Sequence, residues 1–276
     1  MTTIYDQIGK TYTATRAADQ RILEKLIDLL DLPFGSKILD VGAGTGNYSQ
    51  ALVDSGFHVT ALEPSKVMRD QGKRHERLSW VAGAAEHIPF ESDTFDGVVM
   101  TLCIHHFSDW KVALKETARV VGNGPMVILS FDPDFESGFW LFDYFPEFLE
   151  KNKECFPNVA EVETFVNIDL NRKFDTLRFP LPPDLLDHFA AAGWSRPEIY
   201  LDKRYRSGIS SFSSVDQSHL QKGLLSLEHD LRSGQWDRRY GMCRDSKTLD
   251  VGYTFLRLQQ ENQDALLNCG GLRPSS

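Results

Sequence analysis

The chain is expected to fold as α/β, doubly wound around a mostly parallel sheet, and three observations predict it. Short apolar runs alternate with helical patterns through the first half of the sequence. Four of those runs, ILDV, HVTAL, FDGVVM and MVILSF, are continuous rather than alternating in polarity, and the first leads straight into a glycine-rich turn, VGAGTG. Strands that are apolar on both faces are covered on both faces, which is the condition of a parallel sheet flanked by helices.

The elements follow in order. From Asp19, an N-cap by residue type, RILEKLIDLL sets Ile22, Leu23, Leu26, Ile27 and Leu30 on one helical face, and Pro33 and Gly35 end it. Strand Lys37 to Val41 feeds a helix from about Asn47 to Ser55, and strand His58 to Leu62 feeds a helix from Ser65 to Gln71. Strands Leu78 to Val81 and Phe95 to Thr101, helix Trp110 to Val121 and strand Met126 to Phe131 complete residues 1–131, a core with an N-terminal helical segment. The rhythm breaks over 132–181, an aromatic-rich, mainly helical stretch expected to form an inserted cap. From 182 the core is expected to resume with a helix Asp184 to Ala192, stopped by Gly193, and a short strand Glu198 to Leu201. A second helical insertion over about 203–246 then leads to a last strand, Leu249 to Leu258.

A length of 276 residues suits one α/β core with an appended segment rather than two equal domains. With a formal net charge of -9 and no Lys/Arg run, the chain is not built to track a phosphate backbone, so nucleic acid is not an expected partner. No apolar stretch approaches the length of a membrane span and Met1 to Lys10 carries no apolar leader, so no membrane partner and a cytoplasmic location are expected. Cys103, Cys155, Cys243 and Cys269 lie far apart without a Cys-x-x-Cys pair, so neither a metal site nor a disulfide framework is indicated.

The segment with most chemical content is ILDVGAGTGNY, where the glycine loop joins the first strand to a helix. Gly42, Gly44 and Gly46 allow a tight turn and a close approach of backbone to ligand. A dinucleotide fingerprint would place its third glycine at 47, where this chain has Asn47, and that departure weakens a nicotinamide reading. Asp40, at the strand end before the loop, suits a ligand with an ammonium and a sulfonium better than a pyrophosphate. Glu63 ends the second strand some twenty residues on, where a carboxylate can accept both hydroxyls of a ribose.

With these residues in view, Val41-Gly-Ala-Gly-Thr-Gly, Glu63 and the later run AAEHIPFESDTFDGVV resemble the motifs of the class I S-adenosylmethionine-dependent methyltransferases, in the small-molecule branch typified by ubiquinone and menaquinone biosynthesis. The resemblance covers roughly Tyr5 to Phe131. It implies a Rossmann-like, seven-stranded sheet, S-adenosyl-L-methionine as cofactor and a small-molecule methyl acceptor. It also implies cofactor contacts from Ala43, Pro64, Thr101, Ala85 and Glu86, the last two beside the adenine, where Ala84 replaces the family's frequent aspartate. Tyr5, Tyr12 and Arg16 would belong to an N-terminal segment folding over the cofactor, with Arg16 available to its carboxylate.

For the transfer step, TLCIHHF ends the fourth strand on the sheet edge where open α/β sheets bind ligands, so His105 and His106 are the candidate bases; a histidine there can equally just bond the backbone. No Asn/Asp-Pro-Pro-aromatic run follows, unlike methyltransferases acting on nucleic-acid bases. The aromatics from Phe135 to Phe148, with Phe139, Trp140 and Tyr144 as candidate acceptor contacts, read either as a cap over an apolar acceptor or as packing of an inserted helix. Arg204, Tyr205 and Arg206 offer a place for an anionic group, with Tyr205 as a further acceptor contact, or form a solvated loop. The alternatives to a methyltransferase are a nicotinamide-dependent oxidoreductase and a protein of this fold that binds the same cofactor for another reaction or none.

Overall fold

The computed structural model describes residues 16–260. Helix α1 (Gln20–Leu30) opens them, N-capped by the Asp19 side chain on the Arg21 N–H and closed by Asp31 in the left-handed region. Then come β1 (Lys37–Val41), α2 (Asn47–Asp54), β2 (His58–Leu62), a single turn α3 (Lys66–Arg69), β3 (Leu78–Val81), β4 (Gly97–Thr101), α4 (Trp110–Val121) and β5 (Met126–Phe131). Three helices follow, α5 (Leu141–Tyr144), α6 (Glu147–Cys155) and α7 (Val159–Asp169), then β6 (Lys173–Arg178). After them are α8 (Lys203–Ser207), α9 (Ser210–Ser214), α10 (Gln217–Arg232), α11 (Gln235–Tyr240), α12 (Met242–Asp245) and β7 (Tyr253–Gln259).

The sheet is seven-stranded and Rossmann-like, in the order β3-β2-β1-β4-β5-β7-β6. Its first five strands are parallel, while β7 runs antiparallel between β5 and β6. Alternation along each strand divides the core between two faces. On one side Ile38, Val127 and Leu129 pack with Ile22, Leu26 and Leu52; on the other Leu39, Val41, Met126 and Ile128 pack with Ala113 and Leu114. The chain winds from β1 outward to β2 and β3, then returns past β1 to β4 and β5. The loops after β1 and β4 therefore diverge, and a crevice opens at the carboxyl ends of those neighbours.

Three expectations need correction. Residues 132–181 are not wholly cap, because β6 is an edge strand of the sheet; with every residue exposed or half-buried, KFDTLR carries no apolar run to announce it. Residues 184–192 form turns rather than a helix. The Leu186 N–H goes to the Asp19 carboxylate, and tight turns such as Phe189 N–H to Asp187 C=O and Ala192 N–H to Phe189 C=O replace an i to i−4 ladder. The expected strand at 198–201 is a 3-10 turn, Pro197–Leu201, with proline at its first position. Among the described residues no helix is long and apolar enough to cross a membrane.

Candidate active site

The crevice at the switch point holds a cavity of about 510 Å³. Its floor is the end of β1 and the loop behind it, Asp40, Gly42, Ala43, Gly44 and Thr45. Glu63, Pro64 and Met68 wall one side; Ala84, Ala85 and Glu86 follow β3; Thr101 to Cys103 and His106 to Ser108 follow β4. Arg16 and Asp187 close it from above, with Asn47 and Tyr48 at the start of α2.

Local conformation explains the loop residues. Gly42 has φ +69°, and a Cβ there would sit 2.7 Å from the Cys103 Cβ, so glycine lets the β1 loop pass the β4 end. The Gly44 N–H then donates to Glu63 Oε2 at 2.9 Å while the Ser65 N–H donates to Glu63 Oε1 at 2.8 Å, which fixes the carboxylate across the mouth of the loop. Asp40 is buried and accepts from the Ser49 hydroxyl at 2.5 Å. Burial pushes its pKa up to about 7; the Ser49 bond opposes this and the neighbouring Glu63 charge reinforces it.

Arg16 forms a two-pronged ion pair with Asp187, to which Tyr48 also donates at 3.2 Å, and its own carbonyl accepts from the Asn47 side chain at 3.1 Å. The Glu86 carboxylate is directed at the next element: Oε1 accepts from the Ser108 N–H and hydroxyl and from the Asp109 N–H. Burial raises its pKa, but these bonds outweigh that and hold it below the usual range.

A second chamber, about 210 Å³, adjoins the first and shares Arg16, Leu102 and His106 with it. Leu102, at the end of β4, takes φ +54°, an unusual conformation for a branched side chain, and stands between the two spaces. The chamber is walled by Phe131, Phe148, Phe156, Phe189 and Tyr253, with Lys151, Asn152 and Cys155 from α6 and three serines from α9. His105 lines this chamber and not the larger one; its ring stacks on Phe156 at 4.0 Å and leans on His106 at 3.7 Å, and its Nδ1 is buried without a hydrogen-bond partner among the described residues. Burial first, then His106 and Arg16, push the His105 pKa well down; burial and Arg16 push His106 down to about 4. Both imidazoles are therefore neutral near pH 7.

Of the sequence-predicted residues, Arg16, Asp40, Gly42, Ala43, Gly44, Glu63, Pro64, Ala85, Glu86, Thr101 and His106 line the larger cavity. Tyr12 lies outside the described residues. Gly46 is a correction: it does not line the cavity, and its glycine is required by φ +77° and by Trp80, which a Cβ would meet at 2.6 Å. Phe139, Trp140, Tyr144 and Tyr205 are a second correction, since none lines either space. Trp140 is 1% exposed, donates to the Trp194 carbonyl and packs edge-on against Trp236 and Tyr200. Tyr144 donates to Asp230, and Tyr205 is buried against Tyr200 and His188. The cap aromatics form a core of their own; Phe148 alone among those of Phe135 to Phe148 reaches the chamber. The chain pattern did not single out Thr45, Leu102 or Asp187. Thr45 sat inside the recognised loop, whereas nothing local ties Asp187 to Arg16.

The residues fit a nucleoside ligand. Thr45 Oγ1 and Thr101 Oγ1, both of cavity-lining residues, are buried with no hydrogen-bond partner among the described residues, and such groups cost about 1–3 kcal/mol until paired. Beside them lie two carboxylates and a loop of left-handed glycines that admits close approach.

Residues 39–129 match the family model described as a methyltransferase domain. A crystal structure from Anabaena variabilis, of a protein described as a methyltransferase of an antibiotic biosynthesis pathway, is 42% identical and superposes with a TM-score of 0.84, covering 88% of this chain and 98% of that one. The demethylmenaquinone methyltransferase of Corynebacterium urealyticum is 30% identical over 143 residues, half of this chain and 62% of its own. The matched region spans 53 to 62% of the first such curated relatives. A phosphoethanolamine N-methyltransferase of Haemonchus contortus, solved with S-adenosylhomocysteine, shares the fold at 15% identity, with a TM-score of 0.58 over 94% of this chain and 56% of that one.

Proposed function

The chain belongs to the class I S-adenosylmethionine-dependent methyltransferases, and from that premise we propose that it methylates a small apolar or aromatic metabolite, at oxygen, nitrogen or carbon, by in-line displacement. The observation that carries this reading is the pair of adjoining cavities, one walled by carboxylates, one aromatic, meeting at Arg16, Leu102 and His106. S-Adenosylmethionine, when bound, supplies a methyl carbon already activated by its sulfonium, so the protein's contribution is chiefly alignment and exclusion of water.

Each wall then has a task. Glu63, held rigid by two backbone donors, presents its carboxylate to the ribose hydroxyls. Asp40 offers negative charge to the cationic end of the cofactor, and Thr45 and Thr101 find partners there. The Ala84 to Glu86 segment lines the adenine side by backbone and Cβ, because Glu86 is engaged with Ser108 and Asp109. At the junction, Leu102 and neutral His106 orient the acceptor. An imidazole with a pKa near 4 is a poor base for stripping an acceptor beforehand. It is sufficient for the far more acidic proton carried by a hydroxyl oxygen once its new bond to carbon forms, and it passes that proton to solvent.

Calorimetric titration with S-adenosylmethionine, S-adenosylhomocysteine and NAD tests the reading. Both sulfur nucleosides should bind and NAD should not, and Glu63→Ala should weaken them by about 10- to 100-fold, the loss of charge-assisted bonds worth roughly 1.5–3 kcal/mol. Binding of NAD alone would overturn it.

A further inference from the structure

We propose that the acceptor is a single-ring aromatic acid, its carboxylate held by Lys151 at the far end of the aromatic chamber and its accepting atom turned toward His106. The inference rests on the methyltransferase reading above and adds the acceptor's chemical class and its direction of binding.

Size comes first. A chamber of about 210 Å³ exceeds the roughly 150 Å³ cavity that takes up benzene, so it is sized for one ring with a short substituent. The walls choose an aromatic ring, since Phe131, Phe148, Phe156 and Tyr253 surround the space.

Charge comes second. The whole chain carries -9, yet among the described residues no Asp or Glu lines this chamber, whereas Arg16 and Lys151 do. Arg16 is matched by Asp187. Among the described residues no carboxylate lies within ion-pair distance of Lys151, whose ammonium donates to the neutral Ser214 carbonyl at 2.6 Å. That bond leaves an ammonium two further donors, and Asn152 with the hydroxyls of Ser210 and Ser211 stands on the same walls. A half-buried cation with donors around it and no counter-charge among the described residues is the complement of a carboxylate.

Direction comes third. Arg16, Leu102 and His106 border both spaces, so that end faces the transferred methyl group; Lys151, Asn152 and the serines border only the second chamber. Phe148, Lys151, Asn152 and Cys155 recur at helical spacing on α6, which places them on one face, and the bond from Lys151 to Ser214 ties that face to α9. A carboxylate held there is kept away from the methyl group, so the ring substituent at the other end is methylated and the acid is not esterified. The other basic segment does not compete: Arg204 is exposed and paired with Asp202, and Arg206 donates to the Tyr200 carbonyl.

The test uses the full chain saturated with S-adenosylhomocysteine, titrated with 4-hydroxybenzoate, 3,4-dihydroxybenzoate and 4-hydroxycinnamate, each against its methyl ester. The acids should bind at least tenfold more tightly than the esters. Lys151→Met should erase that preference by weakening the acids about 10- to 100-fold with the esters unchanged, and Lys151→Arg should restore part of it. Equal binding of acid and ester, an acid preference that survives in Lys151→Met, or binding of no member of the panel overturns the proposal. Affinity for S-adenosylhomocysteine should be the same in all three proteins; its absence from wild type would instead overturn the methyltransferase reading, and its loss in Lys151→Met alone would show that Lys151 serves the cofactor and not the acceptor.

Discussion

Burial holds Asp40 protonated until the pH approaches 7, so the carboxylate proposed above to attract a cationic cofactor is present in full only above that value. The sign follows from a folded pKa raised above the ordinary 3.8: this group costs the ligand-free protein stability as pH rises from 3.8 through about 7, while a cationic ligand recovers attraction over the same window. Affinity for S-adenosylmethionine should therefore climb by up to about tenfold between pH 6 and 8, and Asp40→Asn should flatten that climb. With His106 already depressed to about 4, an inflection near pH 7 that persisted in Asp40→Asn would contradict this assignment. Asp40 and Glu63 were legible in the sequence because strand ends beside a glycine loop have fixed places in a parallel sheet. The protonation states were not, since burial and the spacing of the two carboxylates arise only on folding. Nor was Lys151, which reads as one lysine among several on a polar helix.

Elements with strong local signatures formed where their patterns put them: α1 behind its Asp19 cap, β1, β2, β4 and β5 from their continuous apolar runs. At 184–192 tertiary contacts replaced local periodicity, whereas β6, an exposed edge, had no apolar run to show. The apolar spacing of Leu185, Phe189 and Ala192 buries those residues without a helix because neighbouring acidic side chains are pinned by Arg16 and Arg21. The glycine loop is the opposite case, a local pattern whose cause is remote. Gly46→Ala should destabilise the protein by about 2–4 kcal/mol, combining left-handed strain with overpacking against Trp80. In a Trp80→Leu background the added cost should fall toward the strain alone, and urea unfolding of the four proteins measures the difference. Equal costs in both backgrounds would remove Trp80 from the explanation.

Across the whole molecule, residues near position 16 and near position 187 are bound together over the larger cavity. Arg16 and Tyr48 converge on Asp187, and Asp19 and Arg21 reach Leu186 and Asp184. Asp187→Asn removes a buried counter-charge from the sheltered Arg16 and should cost about 3 kcal/mol. It should also lower S-adenosylhomocysteine affinity, because both residues wall the cavity. Thermal melts with and without the nucleoside separate the two effects, since ligand binding to the folded state offsets instability by mass action. An unchanged melt would rule out the ion pair as a clasp. Threading β7 between β5 and β6 has a consequence for how the chain is made. The Met126–Phe131 edge acquires its partner only when residues 253–259 have left the ribosome. Until then a largely apolar strand, paired with β4 on one side only, stands with the backbone donors and acceptors of its other edge open, so the aggregation-exposed interval lasts until that late strand has emerged.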